Sequence, residues 1–167
     1  MCHYRMPPLA AYQGETTMTT RYEGFTAEEK AAMKEHAQDM KKAARRGSAA
    51  DKAAAAEQDV LAKIAEMPDE DRVLAELVYT VVKANAPTLT PKLWYGQPAY
   101  ALDGKIVCFF QAAAKFKTRY ATLGFNEAAQ LDDGEMWATA FALTGATPAV
   151  KKRIAALVKQ AIACDTR

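Results

Sequence analysis

Cysteine and histidine are scarce in this sequence of 167 residues, which contains three cysteines and two histidines. The cysteines, Cys2, Cys108 and Cys164, are odd in number and share no repeated spacing, so they do not predict a disulfide framework. No two of them form a CxxC motif, which argues against a zinc ribbon or a dithiol redox site. Since the histidines are only His3 and His36, a histidine-rich metal site is not predicted either.

Long hydrophobic runs and a charge excess are also absent. No stretch reaches the length of about 18 apolar residues at which a transmembrane helix is expected. Residues 1–17 lack the continuous apolar segment of a signal peptide, so we expect a cytoplasmic protein. The formal charge is +2, from 22 basic and 20 acidic residues, and this balance does not favour a nucleic acid as partner. A membrane partner is not predicted either, because the long apolar run is absent.

The pattern of apolar residues divides the chain into a tail and a single domain. Residues 1–21 contain two adjacent prolines and a glycine but no periodicity, which predicts a disordered or loosely docked tail. Met18 is an alternative start of the native sequence. Residues 22–167 are long enough for one core and predict one domain, with a helical extension at 22–66 and the remaining core at 67–163.

Three helices are predicted in the first half of the chain, over residues 26–46, 48–67 and 68–85. Thr26 and Glu29 have the spacing of a capping box, so they mark the start of the first helix. The first two helices are rich in alanine, which favours helix formation but buries little area. The third helix carries a wide apolar stripe and is predicted to lie at the centre of the core. The stripe consists of Val73, Leu74, Leu77, Val78, Val81 and Val82.

The second half changes to the alternating pattern of strands. Asp103 and Gly104 favour a tight hairpin turn between two apolar segments. We predict strands over residues 98–102, 105–110, 117–124 and 136–143, a short helix over 126–131, and a last helix over 148–163. The sequence therefore predicts an α+β fold, with a mainly antiparallel sheet of about four strands and helices packed on it.

One segment, residues 87–125, is similar to a known family. Its WYGQP turn, aromatic strand, D-G-K sequence and following lysine resemble the signature of the YdhG-like family of bacterial proteins. The similarity extends by pattern over about residues 60–163. The matching residues are Pro87, Tyr95, Gly96, Pro98, Tyr100, Gly104, Lys105, Phe110 and Lys115. This resemblance implies an α+β domain, and one branch of the family implies a frataxin-like iron chaperone, although Lys92 replaces an acidic residue of many members.

The same segment supplies the candidate binding site. Aromatic side chains beside the turn offer flat apolar surface, and basic groups orient an anion, as in many ligand sites. We expect a groove that binds an anionic small molecule or a protein partner. Its predicted residues are Trp94, Tyr95, Gln97, Tyr100, Lys115 and Arg119. The alternative is a solvated basic edge formed by Lys105, Lys115, Lys117 and Arg119, in which lysines discourage the pairing of strands.

Two further groups of residues have side chains that can carry chemistry. The acidic residues Glu127, Asp132, Asp133 and Glu135 are the alternative candidates for a metal site, with iron as the cofactor, although Asp-Asp-Gly is also an ordinary turn sequence. Cys108 lies in an apolar strand and is expected to be a buried core residue rather than a nucleophile. Because no base and nucleophile are paired, we predict no catalytic residues, no required cofactor and a noncatalytic domain.

Overall fold

The computed structural model describes residues 26–44 and 48–163. The predicted tail, Phe25 and two of the three cysteines lie outside these residues. The chain forms five helices and five strands within the described part. They are, in order, α1 Ala27–Ala44, α2 Ala49–Ala65, α3 Asp69–Asn85, β1 Thr90–Trp94, β2 Gln97–Leu102, β3 Lys105–Gln111, α4 Ala113–Phe116, β4 Ala121–Phe125, β5 Ala140–Leu143 and α5 Pro148–Ala161.

The five strands form one antiparallel sheet in the order of the sequence, β1-β2-β3-β4-β5. This arrangement confirms the predicted α+β fold, and the sheet has one strand more than the expected number of about four. The additional strand is β1, which pairs with β2 from Thr90↔Ala101 to Trp94↔Gln97. Helices α2, α3 and α5 and one face of the sheet enclose a single hydrophobic core.

The caps of the first two helices follow the sequence. The Thr26 hydroxyl accepts a hydrogen bond from the Glu29 amide at 3.1 Å, and the Glu29 carboxylate accepts one from the Thr26 amide at 2.8 Å. Ser48 and Asp51 form a second capping box at the start of α2. Because each box satisfies amides that the helix itself leaves unpaired, both helices begin at a defined residue.

Three predicted elements differ from the structure. Residues 117–120 are not in a strand, because α4 ends at Lys117 in the left-handed conformation, with φ 55°. The strand predicted from residue 136 begins only at Ala140. The helix predicted over residues 126–131 is absent, since the Asn126 amide bonds to Val107 and the Gln130 amide to Ala161. A segment of six residues gains too few internal hydrogen bonds to compete with these distant acceptors.

The described helices also bear on the membrane prediction. None of them is both long enough and apolar enough to cross a bilayer.

Candidate functional site

The WYGQP segment forms the tight turn between β1 and β2. Tyr95 and Gly96 both have positive φ angles, 53° and 64°, and the flanking residues Trp94 and Gln97 are paired. Two consecutive residues with positive φ are the mark of a type I′ hairpin turn. Glycine adopts this conformation freely, whereas a side chain such as that of Tyr95 makes it unfavourable by about 1 kcal/mol or more. Tyr95 must therefore be held by other contacts.

Helix α1 and Lys115 provide these contacts. The Tyr95 ring is stacked on His36 of α1, with centroids 4.3 Å apart and planes at 15°. The Lys115 ammonium donates hydrogen bonds to the carbonyl oxygens of Tyr95, at 2.9 Å, and Gly96, at 3.3 Å. The same ammonium forms an ion pair with Glu35 of α1. Lys115 is thus fully engaged in fixing the turn and in holding α1 over it.

Gly96 is required for this arrangement for a second reason. A Cβ atom at this position would collide with the Glu35 carboxylate and would lie 2.6 Å from the Lys115 Nζ atom. The absence of a side chain therefore lets the ion pair rest directly on the turn. The group that approaches the backbone at Gly96 most closely is Glu35 of the chain's own α1.

An aromatic row lies on the sheet face that points away from the core. Trp94 reaches Phe109, with ring centroids 5.2 Å apart, and the Phe109 ring lies over Gly124. Between them Ala99 is 0% exposed. Phe109 pairs with Ala99 on one side and Gly124 on the other, so small residues leave room for the two large rings. This row covers backbone that would otherwise contact solvent, and Trp94 itself is only partly exposed.

Tyr100 does not belong to the surface that sequence analysis assigned to it. Its side chain is 0% exposed and lies in the hydrophobic core on the opposite face from Trp94. Strand alternation is the reason, because Tyr100 is three positions from Gln97, which pairs with Trp94. Burial raises the pKa of the Tyr100 hydroxyl well above its ordinary value, with smaller effects of Cys108 and Tyr79. Tyr100 therefore cannot line an open groove in this structure.

Cys108 is buried in the core, as predicted. It is 0% exposed, and burial raises the pKa of its thiol to about 12. A nucleophilic cysteine requires an accessible thiolate, and this thiol stays protonated and inaccessible near neutral pH. Cys108 therefore acts as a small apolar core residue.

Arg119 lies at a different place from the turn, in a cavity of about 610 Å³ beside the first turn of α3. The side chain is exposed, and its guanidinium lies over the Tyr120 ring, 5.4 Å from the centroid. Leu143 and the residues that follow β5 form the opposite wall. Of the six predicted binding residues, the structure thus gathers Trp94, Tyr95, Gln97 and Lys115 at one turn and separates Tyr100 and Arg119 from them. The binding role of the six stays a prediction.

Asp71 determines where the Arg119 segment lies. This residue of α3 is 4% exposed, and its carboxylate accepts hydrogen bonds from the amides of Ala113 and Ala114, both at 2.9 Å. It therefore caps α4, the short helix that leads to Arg119, from 42 residues away in sequence. Sequence analysis missed this role, because an acidic residue in the first turn of a helix is already explained by the helix dipole.

The basic residues are not a solvated sheet edge. Lys115 belongs to α4 and Lys117 ends it, and Lys117 forms an ion pair with Glu28 of α1. Lys105 begins β3, which is an inner strand of the sheet. The edges are β1 and β5, so the alternative interpretation of these lysines does not match their positions.

The acidic residues proposed as an alternative metal site are exposed, and no metal cluster includes them. Across residues 26–44 and 48–163, no group of three or more histidine, cysteine, aspartate or glutamate side chains is placed to hold a metal ion. Glu127, Asp132, Asp133 and Glu135 follow the course of an open segment before β5. The structure has a turn at Gly134 and Glu135, directly after Asp132 and Asp133.

Comparison with known proteins identifies no relative of this chain. No protein-family model matches it, and neither a curated protein nor a solved structure shows significant similarity.

Proposed function

We propose that this chain is a noncatalytic binding domain that holds an anionic small molecule through Arg119. The single observation that carries the proposal is that the Arg119 guanidinium lies in a cavity without an ion-pair partner among the described residues. It lines the 610 Å³ cavity, lies on the Tyr120 ring, and forms no ion pair with any residue of the described part. An arginine placed in this way offers planar hydrogen-bond donors to a carboxylate or phosphate.

The shape and lining of the cavity support a ligand of small-molecule size. Ligand pockets commonly have volumes of about 300 to 1,000 Å³ and combine apolar walls with a few polar groups. Here Leu74, Tyr120 and Leu143 provide apolar surface, and Arg119 provides the charged donor. The buried contact of Asp71 with α4 holds this segment in place before a ligand arrives, which reduces the ordering cost of binding.

The proposal is for a noncatalytic site, since no cysteine, histidine, serine or lysine is among the residues that line this cavity in the described part of the chain. We further propose that the chain is related to the YdhG-like family, which residues 87–125 resemble. We also propose that the protein is cytoplasmic. A groove at the WYGQP turn is less favoured, since α1 already occupies that surface through Glu35 and His36.

Titration with 3-phenylpropanoate, followed by protein NMR, tests the proposal. This probe has one carboxylate for Arg119 and a ring for the apolar wall. We expect saturable shifts at the amides of Ala121 and Leu143, and we expect Arg119→Gln to weaken binding about tenfold or more, on the scale of a charge-assisted hydrogen bond.

Arg153→Gln is the matched control. Arg153 also lies over an aromatic ring, that of Phe141 at 5.7 Å, but lines a separate cavity beside α5. This variant should bind 3-phenylpropanoate as the original protein does. Equal binding by the Arg119→Gln variant, or shifts that never saturate, would refute the proposed site.

A further inference from the structure

The Arg119 cavity carries charges of both signs, and this bears on the kind of molecule it accepts. Three consecutive carboxylates of α3, those of Asp69, Glu70 and Asp71, line the same cavity as Arg119. A dianion such as a phosphate ester would meet this excess of negative charge. A purely anionic ligand is therefore not the best complement of the whole lining.

Two of the three carboxylates already have partners. Asp69 forms an ion pair with Arg72, with a distance of 2.5 Å between the Oδ1 and Nη2 atoms. Asp71 is buried, and its two oxygens accept the amides of Ala113 and Ala114. Asp71 is therefore not accessible to a ligand, and the charge of Asp69, whose side chain is 86% exposed, is balanced by Arg72.

Glu70 differs from its two neighbours. Its side chain is exposed and forms no hydrogen bond or ion pair with any residue that the structure describes. Arg119 is likewise without an ion-pair partner in the same residues. One cavity thus presents a carboxylate and a guanidinium that are not paired with each other.

We propose that the cavity binds a zwitterionic small molecule with an apolar group, of the class of an α-amino acid. This inference rests on the proposed function, since it adds a second contact to the Arg119 site. The ligand carboxylate would bind Arg119 and its ammonium would bind Glu70. Its apolar group would pack against Val73, which is 51% exposed, and against Tyr120, which is 37% exposed.

The charge pattern of the free protein supports this ligand class. A molecule that carries both charges compensates Glu70 and Arg119 at once. A ligand with only a carboxylate compensates Arg119 but places a second negative charge near Glu70. Burying the exposed surfaces of Val73 and Tyr120 adds an apolar contribution that depends on contact area and not on charge.

Three probes that share a phenyl ring and a two-carbon spacer test the inference by NMR titration. L-phenylalanine has both charges, 3-phenylpropanoate has only the carboxylate, and 2-phenylethylamine has only the ammonium. We expect L-phenylalanine to bind about threefold to fivefold more tightly than 3-phenylpropanoate, the scale of one solvent-accessible ion pair. We expect 2-phenylethylamine to bind most weakly, because it cannot contact Arg119.

The variant Glu70→Gln separates the second contact from the first. In this variant L-phenylalanine should no longer bind more tightly than 3-phenylpropanoate, and 3-phenylpropanoate should still bind. Glu127→Gln, which changes an exposed carboxylate outside the cavity, should preserve the advantage. If L-phenylalanine and 3-phenylpropanoate bind the original protein equally, or if the advantage persists in Glu70→Gln, the zwitterion inference is wrong and the anion site stands. If 3-phenylpropanoate binds without need of Arg119, or does not bind, both proposals fail.

Discussion

Helices α1 and α3 are nearly equal in length, 18 and 17 residues, but they are attached to the molecule in different ways. Five apolar residues of α3 are buried in the core: Leu74, Ala75, Val78, Val81 and Val82. In residues 27–41 of α1, where burial is described, Ala32 alone is buried. Hydrophobic stabilisation scales with the apolar area removed from water. Burial therefore stabilises the attachment of α3 much more than that of α1.

Helix α1 is held mainly by polar and aromatic contacts. Glu28 and Glu35 form ion pairs with Lys117 and Lys115, and His36 stacks on Tyr95. Ion pairs at a protein surface each contribute little, commonly about 1 kcal/mol or less. The comparison indicates that the contacts of α1 respond to charge and pH, whereas those of α3 respond to the size of buried side chains.

The largest expected effect is the truncation of a buried residue of α3. Val78 is 0% exposed, and Val78→Ala should lower the free energy of unfolding by about 2 kcal/mol, through lost burial and the cavity left behind. Met33 of α1 is 37% exposed, and Met33→Ala should change the same quantity by about 0.5 kcal/mol or less. Urea unfolding measures both values. Similar losses in the two variants would show that α1 belongs to the core.

The second prediction concerns the buried polar contact of α3. Asp71→Asn replaces one carboxylate oxygen by an amide nitrogen, so one of the Ala113 and Ala114 amides loses its acceptor. We expect a loss of about 1 kcal/mol in unfolding free energy, at the low end of the cost of an unsatisfied donor because the two amides are only partly buried.

Asp69→Asn is the control for this effect. Asp69 lies two residues earlier in the same helix, with its side chain 86% exposed in the pair with Arg72. Its replacement should cost about 0.5 kcal/mol or less, since exposed pairs contribute little. If the two aspartates prove equivalent, the cap of α4 does not depend on the Asp71 carboxylate.

Elements determined by neighbouring residues were predictable from the sequence. The Thr26–Glu29 capping box and the Asp103–Gly104 hairpin turn are confirmed, and both depend on residues within three positions of each other. The central role of α3 is also confirmed, since its stripe of apolar residues has the helical period. All the residues that determine such an element lie close together in the sequence, so the element can be predicted from a short segment.

The missed features depend on contacts between distant residues. Nothing near Asp71 indicates that its carboxylate would cap a helix 42 positions later. Tyr95 and Lys117 adopt positive φ without being glycine, and their partners are on α1 in both cases. The candidate groove failed to assemble for the same reason, because strand alternation sends Tyr100 into the core and α4 carries Arg119 to another cavity.

The smallest expected effect is at Glu28, and it tests whether charge holds α1. The hydrogen bond from Lys117, together with a backbone hydrogen bond and the charge of Lys117, lowers the pKa of the Glu28 carboxyl below its ordinary value of 4.5. A group whose folded-state pKa is lowered contributes stability above its unfolded-state pKa, and that contribution is lost as the pH falls through the folded-state pKa. Acid should therefore weaken the contact of α1 with Lys117 below about pH 4.5, while Lys117 itself stays charged.

NMR titration of the Glu28 carboxyl carbon measures this pKa directly. We expect a midpoint below 4.5 in the original protein and a higher midpoint in Lys117→Met, which removes both the donor and the charge. Lys105→Met removes an exposed lysine of β3 and should leave the midpoint unchanged, because Lys117 is the basic residue in contact with Glu28. A midpoint that is the same in the original protein and in Lys117→Met would mean that this ion pair does not form in solution. Helix α1 would then rely on the Glu35–Lys115 pair and the His36–Tyr95 stack, and its attachment would centre on the WYGQP turn.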